Sequence, residues 1–469
     1  MVSKIDLLSL EDYEIKDLLK KGYMVVTVFG LGHVGLPLAC AWLRAGAKVI
    51  GVAKTEKTVK TINRGENPVK DELTLTPIVK KYVSEGKFYA TNNGIDAVRK
   101  ANVVIIAVPT GVKWRETGKP IDLSILINVL ETVGKGLDKG KLVIIEPTVP
   151  PGTTVNIAKP LLEKVSGLKV EKDFGLAYSP ERIMAGHALQ DIEENYPKIV
   201  SGIGPKSLRA VKALYEVVCK KGVITLSTPT AAEFEKIAEG VYRDVNIALA
   251  NELAKFAYLL NIDFEEIRRA ANSQPYCHLH KPGVGVGGYC IPIYPYFILH
   301  AAYKHGLELQ LVRLARIINE SMPEYVANLA LKALEKINVK PEEAKVAILG
   351  LAFRGNIGDT RLTPVVDLVN YLESYGIRNI VIHDPYVHDN PTRYPLMKEI
   401  EKAIEGKDLV IVATDHDLYT KILPDIILKH CKKEVAIVDG RNIIPKEEID
   451  KNKITYISVG GLRILKNDR

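Results

Sequence analysis

One segment near the amino terminus constrains the fold most: the apolar run MVVTVF at residues 24–29 continues directly into GLGHVG at 30–35. An apolar run without polar alternation predicts a parallel strand that is buried on both faces. The three glycines of GxGxxG permit a tight turn, close backbone approach to a pyrophosphate and close packing of the following helix. This strand–turn–helix segment therefore predicts a dinucleotide-binding domain. Its expected cofactor-binding residues are Gly30, Gly32, His33, Val34 and Gly35.

The rest of the chain alternates strand-like and helical segments on both sides of a helical middle. Apolar, β-rich runs occupy residues 48–53, 103–108, 142–146 and 174–178, and then 345–349, 379–383, 409–413 and 435–438. Helical periodicity dominates between about 206 and 334, where residues 230–260 are long enough for one domain-spanning helix. We therefore predict an α/β protein with two Rossmann-like doubly wound domains joined by a central helical region. The predicted domains are 1–205, with an extra helix at 1–22, then 206–334 and 335–469.

Length, charge and cysteine content narrow the class of protein. A chain of 469 residues is too long for a single core. The net charge of +8 suits an acidic partner, but the basic residues are interspersed with acids, which argues against nucleic acid. Five scattered cysteines without a CxxC pair argue against a disulfide framework and a zinc site, so we expect no metal. Because no apolar run approaches ~20 residues and the amino terminus does not resemble a secretion signal, we expect a cytoplasmic protein that is not in a membrane.

The cofactor type depends on the end of the second predicted strand. An NAD site usually places Asp or Glu there, on the ribose 2′-hydroxyl. This chain has Ala53 and Lys54 instead, and Lys54, together with Thr55, could face a 2′-phosphate. The alternatives are therefore NAD bound without this hydrogen bond, NADP, or use of both cofactors.

Ordered motifs give the chain a specific resemblance. Four blocks carry it: FGLGHVGLPLA at 29–39, EPTVPPGTT at 146–154, YSPERIMAG at 178–186 and PGVGVGGYCIPIYPYFI at 282–298. Four shorter segments add to them: RDVNIALANELA at 243–254, GLAFRGNIGDTRLTP at 350–364, VATDHDLY at 412–419 and VDGRN at 438–442. In this order they resemble the UDP-glucose/UDP-N-acetylmannosamine dehydrogenase family, and CIPxxPYF is most similar to its N-acetylhexosamine branch.

The resemblance implies an arrangement and an activity. It implies a cofactor domain, a central helical region that forms a homodimer, and a carboxy-terminal UDP-binding domain. The expected reaction is the four-electron oxidation of the C6 alcohol of a UDP-N-acetylhexosamine, UDP-N-acetylmannosamine or UDP-N-acetylglucosamine, to the uronate. Two nicotinamide cofactors would be consumed for each sugar. Uronic acid sugars of this kind would serve the synthesis of surface polysaccharides or glycans.

Three residues match the catalytic positions of the family. Cys290 matches the nucleophile, which forms a thiohemiacetal and then a thioester. Lys236 matches the lysine that stabilises the developing oxyanion, although a lysine on an amphipathic helix is more often solvated. Glu181 matches the glutamate that handles water for thioester hydrolysis, and its alternative is a loop glutamate paired with Arg182.

Other matching positions would bind the cofactor or the substrate. Those near the nicotinamide are Thr110, Glu146 and Thr148, for which local turn chemistry is the alternative. Those expected at the UDP-sugar are Tyr242, Arg243, Asn246, Gly287, Gly288, Arg354, Arg361 and Arg441. Guanidinium groups suit a diphosphate, but Arg361 could instead pair with Asp359, and Arg441 with Asp439.

Two residues depart from the family pattern beside the chemistry. The family carries Asp where this chain has Tyr294, and Asn where it has Gly240. A tyrosine, with an ordinary pKa of ~10, is a poor base at neutral pH. Ala53 and Tyr289, where the nearest branch has His, are further departures. The alternatives are an active dehydrogenase, a dehydrogenase for another nucleotide sugar, and a paralogue that binds nucleotide sugar or cofactor without efficient turnover.

Overall fold

The computed structural model describes residues 5–114, 116–184, 186–432, 434–445, 449, 454–461 and 463–464. The chain divides into two compact units. The first comprises Met1–Glu239 and Tyr296–His305, and the second comprises Gly240–Pro295 and Gly306–Arg469. Among the described residues, every helix is too short or too polar to cross a membrane.

The first unit is built on an eight-stranded sheet. Its strands, with those of a small hairpin (β5 and β6), are β1 Val25–Phe29, β2 Lys48–Val52, β3 Phe88–Thr91, β4 Val103–Ile106, β5 Gly111–Val112, β6 Ile121–Asp122, β7 Leu142–Ile145, β8 Gly175–Tyr178, β9 Lys198–Gly202 and β10 Val223–Thr225. The helices that begin in this unit are α1 Asp12–Lys20, α2 Gly35–Arg44, α3 Glu56–Asn63, α4 Leu75–Ser84, α5 Gly94–Lys100, α6 Ser124–Gly136, α7 Lys159–Ser166, α8 Ala188–Gln190, α9 Pro205–Val218 and the long helix α10 Pro229–Leu260. Two π-helical turns, Thr154–Ala158 and Asp191–Asn195, precede α7 and follow α8.

The second unit contains a seven-stranded sheet. Its strands are β11 Lys345–Leu349, β12 Asn379–His383, β13 Leu396–Met397, β14 Leu409–Val412, β15 Ala436–Asp439, β16 Thr455–Ser458 and β17 Arg463–Ile464. The remaining helices are α11 Phe264–Ala271, α12 Tyr294–Lys304, α13 Gln310–Glu320, α14 Met322–Lys336, α15 Pro364–Ser374, α16 Ile400–Ile404 and α17 Asp417–His430, with a 3₁₀ turn at Pro341–Glu343. The unit boundaries fall within α10 and within α12.

Both sheets have the same relative strand order when the first is read from its β3 edge and the second from its β13 edge. The first runs β10-β9-β8-β7-β4-β1-β2-β3, and the second runs β13-β12-β11-β14-β15-β16-β17. Pairing is parallel except between β8 and β9 and between β16 and β17. In each sheet the order reverses beside the first strand, between β1 and β4 and between β11 and β14. This is the switch point where doubly wound folds bind ligands. The predicted α/β fold with two Rossmann-like domains and one long helix is therefore confirmed.

The first sheet extends beyond the domain boundary that the sequence suggests at residue 205. Helix α9 begins at Pro205 and packs on β8 and β9, and β10 then adds a parallel strand to the edge of the sheet. The physical reason is that a three-residue edge strand carries too weak a periodic pattern to be recognised, and only its long-range pairing defines it. Four of the nine predicted strands also end one or two residues earlier in the structure: β2, β4, β7 and β14.

Candidate active site

The loop after β1 has the geometry of a phosphate cradle. Gly30 has a φ of +90°, and a Cβ there would lie 2.5 Å from a backbone oxygen that follows β4. A Cβ on Gly35, the first residue of α2, would lie 1.7 Å from the carbonyl oxygen of Gly30. Among the described residues, apart from its chain neighbours, no atom lies within 4 Å of a Cβ built on Gly32. No side chain of the described residues caps the amino terminus of α2. His33 is exposed and Val34 partly buried. The loop thus fits a pyrophosphate bound by backbone N–H groups at a helix amino terminus.

The end of β2 presents a lysine and no acid. Ala53 is buried, and its N–H donates to the sheet, whereas Lys54 is exposed. The hydroxyl of Thr55 accepts a hydrogen bond from the N–H of Thr58 at 3.3 Å and so caps α3. The charge of Lys54 is therefore exposed to solvent just beyond the carboxyl end of β2.

Of the other predicted cofactor residues, Thr110 and Thr148 are partly buried, whereas Glu146 is fully buried. The hydroxyl of Thr110 donates to the carbonyl oxygen of Thr148, which joins the loops that follow β4 and β7. Glu146 follows β7 directly, and its side chain has no exposed surface. Its carboxylate lies 2.9 Å from the Lys198 ammonium and accepts a hydrogen bond from Tyr215. The structure thus places the Glu146 carboxylate in a buried network and not at an open face.

Glu181 belongs to the same network. It follows β8, and its carboxylate lies 2.5 Å from the Lys198 ammonium while accepting a hydrogen bond of 2.8 Å from the N–H of Arg182. The guanidinium of Arg182 pairs instead with Glu239, at 3.1 Å. The alternative of an ordinary Glu181–Arg182 ion pair is therefore wrong, because Lys198 is the cation on Glu181.

Burial and charge act against each other in this network. Burial raises the pKa of Glu146 to about 7, although the Lys198 ammonium opposes that change. Burial alone would lower the pKa of Lys198, but the carboxylates of Glu146 and Glu181 raise it above its usual value. Burial and the Glu146 carboxylate raise the pKa of Tyr215, so its hydroxyl stays a donor.

Lys236 lies in a buried part of α10. It is only 5% exposed, so the alternative of a solvated lysine is wrong. Three residues before it, the carboxylate of Glu233 accepts hydrogen bonds from the N–H of Gly152 at 2.6 Å and the N–H and hydroxyl of Thr154 at 2.7 and 2.6 Å. Burial raises the pKa of Glu233 to about 7, against these hydrogen bonds. Sequence reasoning missed Glu233, whose only signal is an acid at helical spacing from Lys236.

In the second unit, Cys290 is the exposed cysteine of a tight turn. Cys40 and Cys219 are buried, and burial raises the pKa of each thiol to about 12. The carbonyl oxygen of Cys290 accepts the N–H groups of Ile293 at 3.2 Å and Tyr294 at 3.0 Å. Cys290 therefore lies in the turn that leads into α12, which begins at Tyr294.

The two glycines before Cys290 are required by protein packing. A Cβ on Gly287 would lie 2.5 Å from the Phe353 Cβ, and a Cβ on Gly288 would lie 3.0 Å from the Phe353 ring. Gly288 also has a φ of +85°, which favours glycine. The cysteine turn is thereby held against the loop that follows β11. Their predicted contact with substrate stays a prediction.

Two of the predicted arginines already have acidic partners. Arg361 forms the ion pair with Asp359 that the sequence allowed, at 2.9 Å from its Nε, and its guanidinium lies over the Tyr289 ring at 5.1 Å. The Arg441 side chain pairs with Asp415 at 3.2 Å, and not with the expected Asp439. Arg361 thus lies beside the cysteine turn. Arg354, the third arginine of the prediction, is partly buried.

The Asn246 side chain forms hydrogen bonds to the loop at residues 278–280. Its side-chain nitrogen donates to the carbonyl oxygen of His278 at 2.9 Å and to the Tyr242 hydroxyl at 3.3 Å, and its oxygen accepts the N–H of His280 at 3.0 Å. Arg243 is partly buried and faces His280, whose pKa is lowered by burial, His278 and Arg243. The predicted substrate residues of α10 thus lie beside residues 278–280.

Gly240 and Tyr294, the two departures from the family pattern, are in direct contact. A Cβ on Gly240 would lie 2.5 Å from Cδ2 of the Tyr294 ring and 3.3 Å from its Cβ and Cγ. Tyr294 is 8% exposed. The missing side chain of one residue therefore provides the space that the ring of the other occupies.

A second buried polar group was missed because its members lie far apart in the sequence. The Arg316 guanidinium pairs with Asp244 at 2.8 Å, and both side chains are buried. Asn319 donates to Asp244 and accepts a hydrogen bond from Asn251, whose side-chain oxygen accepts the N–H of Gly283 at 2.9 Å. The network links α10 and α13 to the start of the glycine-rich segment.

Comparisons with known proteins agree with this geometry. Residues 24–219, 230–321 and 347–446 match the NAD-binding, central and UDP-binding domains of the UDP-glucose/GDP-mannose dehydrogenase family. UDP-N-acetyl-D-mannosamine dehydrogenase of Pyrococcus horikoshii is 38% identical over 429 residues, which are 91% of this chain and 97% of that protein.

Two solved structures are similar over nearly the whole chain. The UDP-D-ManNAc dehydrogenase of Pyrococcus horikoshii has a TM-score of 0.85 at 36% identity, covering 93% of this chain and 99% of that one. The NDP-N-acetyl-D-galactosaminuronic acid dehydrogenase of Methanosarcina mazei has a TM-score of 0.83 at 32% identity, covering 98% and 100%.

Proposed function

Because the chain belongs to the UDP-glucose/GDP-mannose dehydrogenase family, we propose that it oxidises the C6 alcohol of a UDP-N-acetylhexosamine to the uronate through a covalent bond to Cys290. It is a nucleotide-sugar dehydrogenase with a nicotinamide cofactor. The observation that carries the proposal is the position of Cys290: exposed, in the turn that leads into α12, and held by the packing of two glycines on Phe353. Cys40 and Cys219, by contrast, are buried.

In this proposal three side chains divide the work. The Cys290 sulfur adds to the C6 aldehyde to form a thiohemiacetal, and oxidation of that adduct leaves a thioester. Lys236 stabilises the negative charge that develops on the C6 oxygen. Glu181 takes a proton from the water that hydrolyses the thioester. When bound, the nicotinamide cofactor supplies the hydride acceptor for both oxidations, and the loop at residues 30–35 would hold its pyrophosphate.

The sugar and the cofactor are the finer parts of the proposal. The name of the Pyrococcus horikoshii relative contains N-acetylmannosamine and that of the Methanosarcina mazei relative an N-acetylated hexosaminuronic acid, which supports a UDP-N-acetylhexosamine as the substrate. We expect UDP-N-acetylmannosamine or UDP-N-acetylglucosamine. NAD is the expected cofactor. Lys54 supports NADP as a second one, because its ammonium is exposed where an acid would otherwise exclude a 2′-phosphate. The product would supply the synthesis of polysaccharides or glycans.

A homodimer through α10 is part of the proposal. The second half of the helix exposes large apolar side chains at intervals of three, four and seven residues: Tyr242, Leu249, Leu253, Phe256 and Leu260. This spacing forms one stripe along a helix, the pattern of a helix–helix interface. We expect two copies of the chain to pair through it.

The contact between Gly240 and Tyr294 supports a modified pocket over a disabled one. A bulky ring that fits the space left by a missing side chain keeps the region closely packed, as in a dehydrogenase adapted to a different nucleotide sugar. Loss of turnover remains the competing prediction, because Tyr294 replaces an acid–base group whose removal costs ~10²–10⁴ in rate.

The test combines a substrate panel with a cysteine variant. Purified protein is mixed with UDP-N-acetylmannosamine, UDP-N-acetylglucosamine and UDP-glucose, each with NAD or NADP, and reduced nicotinamide is followed by absorbance. We expect two reduced cofactors per N-acetylhexosamine, with activity abolished in Cys290→Ala and retained in the matched control Cys277→Ala. Tight binding of sugar and cofactor without turnover would instead establish the paralogue that binds but does not catalyse.

A further inference from the structure

A single buried lysine joins two carboxylates at the carboxyl end of the first sheet. Lys198 is the first residue of β9, and its ammonium lies 2.9 Å from Oε2 of Glu146 and 2.5 Å from Oε2 of Glu181. The three side chains are 5%, 0% and 6% exposed. We propose that Lys198 is a positioning residue for hydrolysis, which makes the ionisation of Glu181 depend on that of Glu146 and keeps Glu181 ready to accept a proton from water.

The count of buried charges supports this coupling. Two ionised carboxylates and one ammonium would leave a net negative charge in a nearly waterless site, which is costly. The arrangement is neutral when the carboxyl pair holds one proton, so the two groups titrate together. Glu146 is the deeper of the two, and burial raises its pKa to about 7 although the Lys198 ammonium and the hydrogen bond from Tyr215 oppose that change. It is therefore the member that holds the proton, which leaves the Lys198 charge to Glu181.

The surrounding groups do not replace this role. The titratable and charged side chains that face the pair from neighbouring segments are Arg182, Tyr196, Tyr215 and Cys219. Burial raises the pKa of Tyr196, Tyr215 and Cys219, so all three stay neutral near pH 7. Arg182 keeps its charge but directs its guanidinium to Glu239. None of these four groups therefore changes its charge beside the two carboxyls near neutral pH.

The inference rests on the proposed function of Glu181. In hydrolysis, the oxygen of water bonds to the thioester carbon, and one proton of that water passes to Glu181. The carbon–sulfur bond then breaks with its electron pair on the Cys290 sulfur, and the product carboxyl group releases the second proton to solvent. Once Glu181 has gained its proton the carboxyl pair holds two, and one of them passes to bulk water, so the pair returns to a single proton before the next turnover.

Opposite charge changes should shift the pH dependence in opposite directions. In Lys198→Met the ionised form of Glu181 loses its cation, so the acid limb of the hydrolysis profile should move to higher pH by about 1 unit or more. In Glu146→Gln the Lys198 ammonium no longer shares its charge between two carboxylates and stabilises ionised Glu181 more strongly. The acid limb of the hydrolysis profile should therefore move to lower pH. Lys198→Arg should stay close to the wild type.

The measurement isolates hydrolysis from oxidation. In single turnovers with excess cofactor, the decay of the covalent sugar adduct on Cys290 is followed by intact-protein mass at each pH. Lys220→Met is the matched control, since Lys220 forms an exposed ion pair with Glu194 in the same unit and its loss should leave the limb in place. Opposite shifts in the two network variants would establish the coupling.

The contrary outcomes are distinct from one another. Adduct decay that is slower in both network variants, with unshifted acid limbs, would overturn the inference alone and assign Lys198 a structural role. If Lys198→Met does not fold, Glu146→Gln decides, because a limb that fails to move to lower pH refutes the coupling. If no protein forms an adduct on Cys290, the proposed function fails, and this inference fails with it.

Discussion

The contact between Gly240 and Tyr294 leads to a prediction against the ordinary rule for helices. Replacing a glycine inside a helix by alanine usually stabilises it, by ~1 kcal/mol. Gly240→Ala should instead destabilise this protein. The added Cβ would lie 2.5 Å from Cδ2 of Tyr294, whereas carbon atoms in contact prefer ~3.5–4.0 Å. The ring or the helix must therefore move by ~1 Å in a region where Tyr294 is 8% exposed.

The size of the effect follows from the competing terms. Overpacking a buried site costs ~1–3 kcal/mol. The added Cβ would approach the part of the Tyr294 ring nearest the backbone, which has little freedom to move, so we take the upper end of that range. After the gain in helix propensity, Gly240→Ala should lower the free energy of unfolding by ~2 kcal/mol. For a unit of this size the melting midpoint should fall by ~4–8 °C.

A double-mutant cycle tests the cause directly. Thermal unfolding is followed by circular dichroism for the wild type, Gly240→Ala, Tyr294→Ala and the double variant, with hydrogen exchange of the α10 amides to localise the change. In the Tyr294→Ala background the clash is absent, so Gly240→Ala should stabilise by ~1 kcal/mol and give a coupling energy of ~3 kcal/mol. Equal stabilisation in both backgrounds would refute the reasoning.

Three other variants test separate features. Glu233→Gln should lower stability by ~1–3 kcal/mol, measured by urea unfolding, because an amide cannot accept all the hydrogen bonds that Glu233 receives at Thr154 and its neighbours. Arg316→Met should cost ~3–5 kcal/mol in the same measurement, since it leaves the Asp244 carboxylate buried without its cation. Lys54→Ala should lower kcat/KM with NADP by ~10-fold, with little change for NAD, in steady-state kinetics.

Each of these expectations has a contrary result, and Arg316→Met also has a matched control. Arg313→Met removes an exposed ion pair with Glu308 and should change stability by under ~1 kcal/mol. Arg316→Met with an effect as small as this control would show that the buried pair contributes little. Glu233→Gln with wild-type stability would mean that water satisfies the loop N–H groups. Equal losses for both cofactors in Lys54→Ala would exclude a specific 2′-phosphate contact.

Local patterns carried most of the fold and part of the site. The nine apolar runs predicted as strands form β1, β2, β4, β7 and β8 of the first sheet and β11, β12, β14 and β15 of the second, because strands buried on both faces require continuous apolar runs. The phosphate loop was equally predictable, because short-range steric contacts require glycine at positions 30 and 35. The roles of Cys290, Lys236 and Glu181 came from motif resemblance and remain predictions. The sequence analysis did not identify β3, β9 and β10 of the first sheet or β13, β16 and β17 of the second, which lie at or next to an edge of their sheet.

The partners of the charged side chains were decided only by the tertiary structure. Lys198 is 52 residues from Glu146 and 17 from Glu181, and Asp244 is 72 from Arg316. No periodicity connects such positions, because their meeting depends on how strands and helices pack over long distances. The chain by itself therefore determined the central strands of both sheets and the long helix α10. Packing alone determined which cation neutralises which buried acid, and that Tyr294 occupies the space beside Gly240.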